Sequence, residues 1–173
     1  MSVPPPSSFP GEPPVDGAAP TKGGPRVIAV GGGAGGAGKS LLAVNLAVYL
    51  AQLGRTAVLC DVDPGGSGLH TMIGLDPPEA PLKDCDEKSR SRLIPTAIPG
   101  LSLLPAVYEP TGALLAGGRR PRWLSRIREL PADYVMVDLG SGIARTSLDL
   151  FGAADVGVVV TSPEPPAIEA TYR

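Results

Sequence analysis

The sequence predicts a three-layer α/β fold in which a mainly parallel sheet lies between helices. Three observations carry that prediction. From Arg26 onward, short apolar runs alternate with segments of helical periodicity. The runs are continuous rather than alternating, as strands buried on both faces require. A glycine-rich turn joins the first run to the first helical segment. Composition agrees: 173 residues suffice for one domain with a core, and 43% hydrophobic against 18% charged excludes a highly charged disordered chain. The net charge of −2 gives no general attraction to nucleic acid or anionic lipid.

Residues 1–25 hold eight of the 21 prolines and almost nothing to bury, so they are expected to form a disordered Pro/Gly-rich extension. The domain is expected to span 26–173. Val27-Ile28-Ala29-Val30 ends in glycines and reads as a buried strand. Ser40–Leu53 reads as a helix, with Leu42, Leu46, Tyr49, Leu50 and Leu53 at helical spacing and Gly54 as its stop. Strands follow at Thr56–Asp61 and Leu101–Leu104, with a polar loop or short helix over Asp76–Arg92 between them. A helix is expected over Arg122–Leu130 behind Pro121, then strands at Tyr134–Asp138 and Val156–Thr161, and a helix from Pro165 to Arg173. Right-handed crossovers bring the C-terminal ends of such strands to one edge, where ligands of these sheets bind.

No stretch approaches the roughly 20 apolar residues of a membrane span, no signal peptide or membrane anchor is visible, and the cytoplasm is the expected compartment. Cys60 and Cys85 fit no metal spacing or disulfide framework, and Cys60 reads as a small core residue. Arg119, Arg120, Arg122, Arg126 and Arg128 form a basic cluster with only Trp123 interleaved; a solvated helix face is preferred there over a nucleic-acid patch.

The decisive segment is Gly33-Ala34-Gly35-Gly36-Ala37-Gly38-Lys39-Ser40, which satisfies G-x-x-x-x-G-K-[ST] between a strand and a helix. Glycines permit torsions that turn several N–H groups inward and leave no side chain to obstruct a phosphate. The helix that follows offers its positive end. The nucleotide-binding set is therefore Gly33, Gly35, Gly36, Ala37, Gly38, Lys39, Ser40 and Leu41, with Lys39 for the β and γ phosphates and Ser40 for Mg²⁺. Gly31-Gly32-Gly33 also suggests a dinucleotide fingerprint, but that leaves Lys39-Ser40 unexplained. Asp138, at the end of an apolar strand, is the second magnesium candidate; a turn residue is the blander reading. Asp61 and Asp63 end another strand, where one of them would stand near the γ-phosphate and its attacking water.

Taken in order, Gly35-Gly36-Ala37-Gly38-Lys39-Ser40, Ala43-Val44-Asn45-Leu46-Ala47, Asp61-Val62-Asp63-Pro64 and Val137-Asp138-Leu139-Gly140-Ser141-Gly142 resemble the MinD/ParA group of P-loop ATPases. Val159-Val160-Thr161-Ser162-Pro163-Glu164-Pro165 resembles especially its flagellar number and placement branch. The resemblance implies a P-loop NTPase fold and an ATP- and Mg²⁺-dependent switch, monomeric with ADP and a homodimer with ATP. It also implies a protein or surface that stimulates turnover. It matches Asp63 to a water-orienting aspartate, Lys39 to a catalytic and phosphate-binding lysine, Ser40 and Asp138 to magnesium residues, and Asn45 to an asparagine on the first helix.

The sequence departs from the family pattern in three places. Ala34 stands where the signature lysine reaches across the dimer, which puts cross-subunit stabilisation and rate in question. Leu41 replaces a hydroxyl residue, and the chain stops where family members continue, so the domain is expected to be incomplete at its C-terminus and poorly soluble. A slow ATPase switch is the leading expectation, a nucleotide-sensing scaffold with little turnover the second, and an ATP-dependent synthetase the third. His70 has no assigned role.

Overall fold

A computed structural model describes residues 24–62, 68–76, 93–104, 127–141 and 145–172. Six strands form one sheet: β1 (Arg26–Gly31), β2 (Ala57–Asp61), β3 (Ile94–Pro95), β4 (Leu101–Leu104), β5 (Tyr134–Asp138) and β6 (Val156–Val159). Their order is β3-β4-β2-β5-β1-β6, parallel throughout except for the antiparallel β3–β4 pair. Among the described residues the helices are α1 (Lys39–Gln52), α2 (Leu69–Met72), α3 (Arg145–Ala153) and α4 (Pro165–Tyr172). This is the three-layer α/β P-loop NTPase architecture that the sequence predicts.

Side chains alternate across a strand, so each strand feeds two cores. Val30, Leu59, Leu103 and Met136 meet Ala43, Val44, Ala47 and Ala51 of α1 on one face. Ala29, Val58, Cys60 and Val137 meet Ile127, Leu130 and Leu150 of α3 on the other. Burying a side chain such as Leu59 contributes about 1.5–3 kcal/mol, and Leu59→Ala would cost about 2–5 kcal/mol once the cavity is included. The chain therefore leaves β1 through α1 on one face and leaves β5 through α3 on the other, which separates the two crossovers on either side of β1.

Several elements differ from expectation. The stripe of α1 that meets the sheet is small: Ala43, Val44, Ala47 and Ala51 are buried, Leu42, Leu46 and Leu50 flank them, and Tyr49 is exposed. Alanines let the helix axis approach the strands, which pushes the larger residues to the sides. Helices α2 and α3 and strand β3 were not predicted. The predicted strand Val156–Thr161 ends at Val159. Residues 1–23, 77–92, 122–126 and 173 lie outside the described residues, as do most of the basic cluster and Cys85. Arg128 is described, and it forms an ion pair with Asp155 at 2.9 Å while also donating to the Ala153 carbonyl. Asp155 takes the Val27 N–H as well, at 2.7 Å. The Arg128 bond, then that N–H, holds the Asp155 carboxyl below its ordinary range. No helix among the described residues is long and apolar enough to cross a membrane.

Candidate functional site

Strand β1 ends at Gly31, and residues 32–38 turn the chain into α1. Gly36 and Gly38 adopt φ of 75° and 92°, the left-handed region that side chains disfavour. Gly38 is also the N-cap of α1, with no side-chain cap bond, and its carbonyl receives the Leu42 N–H at 2.9 Å. The first turn of α1 thus presents N–H groups and the positive end of a 14-residue helix toward the loop.

Lys39 opens α1 and is only 7% exposed. Its Nζ folds back across the turn and donates to the Ala34 carbonyl at 2.7 Å. A cation is thereby fixed over a ring of backbone made by residues 34–39. Ser40 and Ala37 beside it are half-buried, and Leu41 points outward at 60% exposure. Asn45 is exposed and returns its side-chain amide to the Leu41 carbonyl at 2.7 Å, an ordinary contact within the helix.

Two carboxylates stand at the ends of neighbouring strands. Asp138 of β5 pairs with Val30 of β1 on one side and Asp61 of β2 on the other. Asp138 is fully buried and Asp61 nearly so. Register partners in a parallel sheet share a face. Parity with Leu59 and Met136 places both carboxylates on the face that carries α1. The structure therefore gathers Lys39, Ser40, Asp61 and Asp138 at one edge of the sheet, whereas Asp63 lies outside the described residues.

Such an arrangement suits a polyanion and a hard cation together. Loop N–H groups, a helix N-terminus and a fixed ammonium attract phosphate. A hydroxyl and a carboxylate are oxygen donors, and magnesium sites commonly take one or two carboxylates and fill the rest with water and phosphate. No group of three or more His, Cys, Asp or Glu residues that could cage a metal occurs among the described residues.

A model of the CobQ/CobB/MinD/ParA nucleotide binding domain matches residues 28–170. The chain belongs to that family. The flagellum site-determining protein YlxH of Helicobacter pylori is 32% identical over 155 residues, which cover 87% of this chain and 53% of that protein. The cell division protein MinD of Aquifex aeolicus superposes with a TM-score of 0.67 at 27% identity, covering 84% of this chain and 60% of that one. Cobyrinic acid a,c-diamide synthase of Mycobacterium smegmatis, whose structure holds ADP and magnesium, superposes with a TM-score of 0.67 at 28% identity, covering 78% and 58%. The chain spans about half the length of the curated relatives it matches.

Within this family member, two features escaped the sequence. The first is that Asp61 is the immediate neighbour of Asp138, because β5 inserts between β1 and β2; strand order is not written in any local pattern. The second is the packing of α4 on the start of the loop. The Gly33 N–H donates to Thr171 Oγ1 at 3.3 Å, and a Cβ on Gly33 would overlap the Ala170 carbonyl oxygen. The Gly31-Gly32-Gly33 run was the available signal, since strand-end glycines mark close backbone approach. Behind it lies a cavity of about 150 Å³ bordered by Gly31, Leu139, Phe151 and Ala170.

Proposed function

We propose that this chain carries the ATP site of a nucleotide-dependent dimerisation switch of the MinD/ParA type, used in spatial positioning or regulation and hydrolysing ATP slowly. The observation that carries this reading is a buried Lys39 at the head of α1, over a glycine loop, at the same sheet edge as the register pair Asp61 and Asp138. Gly33, Gly35, Gly36, Ala37, Gly38 and Leu41 would bind phosphate through the loop and the first turn of α1, and Lys39 would neutralise phosphate charge. Ser40 and Asp138 would hold Mg²⁺, which when bound offsets charge on the β and γ phosphates. Asp63 would orient the attacking water. The likeness to a flagellum site-determining protein and to a cell division protein supports the positioning theme. ATP would bring two copies together, and a protein or surface would stimulate turnover. The cytoplasm is the compartment that this function implies.

A second reading, a nucleotide-sensing scaffold with little turnover, is favoured by one residue. Ala34 offers a methyl group and a carbonyl already engaged by Lys39, and no charge to extend to a partner copy. Mg²⁺-dependent ATP hydrolysis across protein concentrations, with Lys39→Ala as control, separates the two. Turnover rising more than linearly and lost in the variant supports the switch; binding without turnover supports the scaffold; no binding at all sinks both.

A further inference from the structure

Helix α4 is stitched to the start of the glycine loop by a single hydroxyl. Thr171 Oγ1 lies 3.3 Å from the Gly33 nitrogen, 2.8 Å from the Ala167 carbonyl oxygen and 3.3 Å from Thr161 Oγ1. A hydroxyl has one proton and two acceptor sites. The Ala167 carbonyl, at the shortest distance, takes the proton. A lone pair is then left for the Gly33 N–H, while the Thr161 hydroxyl directs its own proton to the Ser162 carbonyl.

A threonine in a helix commonly bonds back to the carbonyl four residues earlier, and that habit accounts for the Ala167 contact alone. It does not account for Gly33, which is 138 residues away in sequence. The backbone beside that bond is equally committed. Gly32 lies so close to the Val160 carbonyl that a Cβ would overlap it, and Val160 N–H bonds Gly31 O at 2.8 Å. One residue beyond Gly33, the Ala34 carbonyl receives the Lys39 ammonium. Two hydrogen bonds and one peptide unit therefore connect α4 to Lys39. Ala167 is the buried residue of the described part of this helix, so the Thr171 contact lies one turn beyond its anchoring side chain.

We propose that Thr171 is a positioning residue for the nucleotide loop: its hydroxyl fixes Gly33, and through Ala34 the placement of Lys39. The docking of α4 and the affinity for nucleotide then form one linked equilibrium. This rests on the nucleotide-binding reading of the site. Linkage is reciprocal, so bound nucleotide must hold α4 down by the same factor that docked α4 raises affinity.

The test compares the full wild-type chain with Thr171→Val, which keeps the shape and loses the hydroxyl, and Thr171→Ser, which keeps the hydroxyl. Each is titrated with fluorescently labelled ADP and Mg²⁺, and amide exchange is followed in α4. Valine should weaken binding about threefold to tenfold, the worth of one hydrogen bond, and serine should restore it. Mg-ADP should slow exchange in α4 of the wild type and the serine variant but not of the valine variant. Equal affinity in all three chains, or equal weakening by serine and valine, overturns the proposal. Should the valine variant not fold, the Gly33 amide of the wild type decides: protection that survives in the serine variant supports the bond, and exchange at the unprotected rate refutes it. A wild-type chain that binds no Mg-ADP overturns the nucleotide reading and this proposal with it, whereas wild-type binding untouched by valine overturns this proposal alone.

Discussion

Asp61 and Asp138 are register partners on adjacent parallel strands, and both are sealed from solvent, at 5% and 0% exposure. Two carboxylates side by side at one end of a sheet offer the oxygen donors that a divalent ion takes.

Replacing Asp138 by Asn tests this pairing, because the amide keeps the shape and removes the charge. Calorimetric titration should show that Mg²⁺ no longer strengthens nucleotide binding by the variant. An Asn variant with unaltered Mg²⁺ dependence would remove Asp138 from the cation site.

Lys39→Ala should lower ATP turnover by about a hundredfold or more, the usual scale for losing a charge aimed at a developing phosphate transition state. Its circular dichroism should stay that of wild type, because the bond it loses, to the Ala34 carbonyl, joins residues within one turn. Wild-type turnover in this variant would take Lys39 out of the chemistry.

Ala34→Lys supplies the charge that the resemblance to the MinD/ParA group leads one to expect at this position. On the proposed switch, turnover is expected to rise about tenfold or more and to steepen with protein concentration, because a cross-subunit contact would count only in the proposed dimer. A rate that stays flat would show that something other than this charge sets the pace.

Acid should loosen the end of the sheet opposite the site. Asp155 and Asp133 both have carboxyls held below their ordinary range, Asp155 chiefly by Arg128 and Asp133 chiefly by the Thr56 N–H. A depressed folded value means stability that is present above the unfolded value, near 3.8, and lost as pH falls through the lower folded one. Denaturant midpoints should therefore fall below about pH 4, and less so in Asp155→Asn. Because the Arg128–Asp155 pair is partly exposed, about 0.15 M salt should blunt its share.

Much of this architecture was legible because continuous apolar runs can be little other than buried strands. Leu101–Leu104 and Tyr134–Asp138 have the limits that the sequence predicts. The short elements were harder. Two-residue β3 and four-residue α2 are too brief for any period to register. In α3, Leu148 and Phe151 lie at helical spacing, but Leu148 is exposed and Gly152 interrupts, so the pattern is faint. At the site, Lys39, Ser40 and Asp138 were readable because local motif and strand end coincide. The Thr171 contact was not, since it depends on how β6 returns beside β1.

The two margins of the sheet differ in what they can accept. At β3 the strand is two residues long, and Pro95 has no N–H to offer, so a further strand would find almost no ladder to join. At β6 a four-residue strand borders the sheet, with Val159 55% exposed. Among the described residues, the β6 margin thus offers more ladder to an added strand than the β3 margin does. An unwanted neighbour at high concentration would find its longer template, among these described residues, at β6.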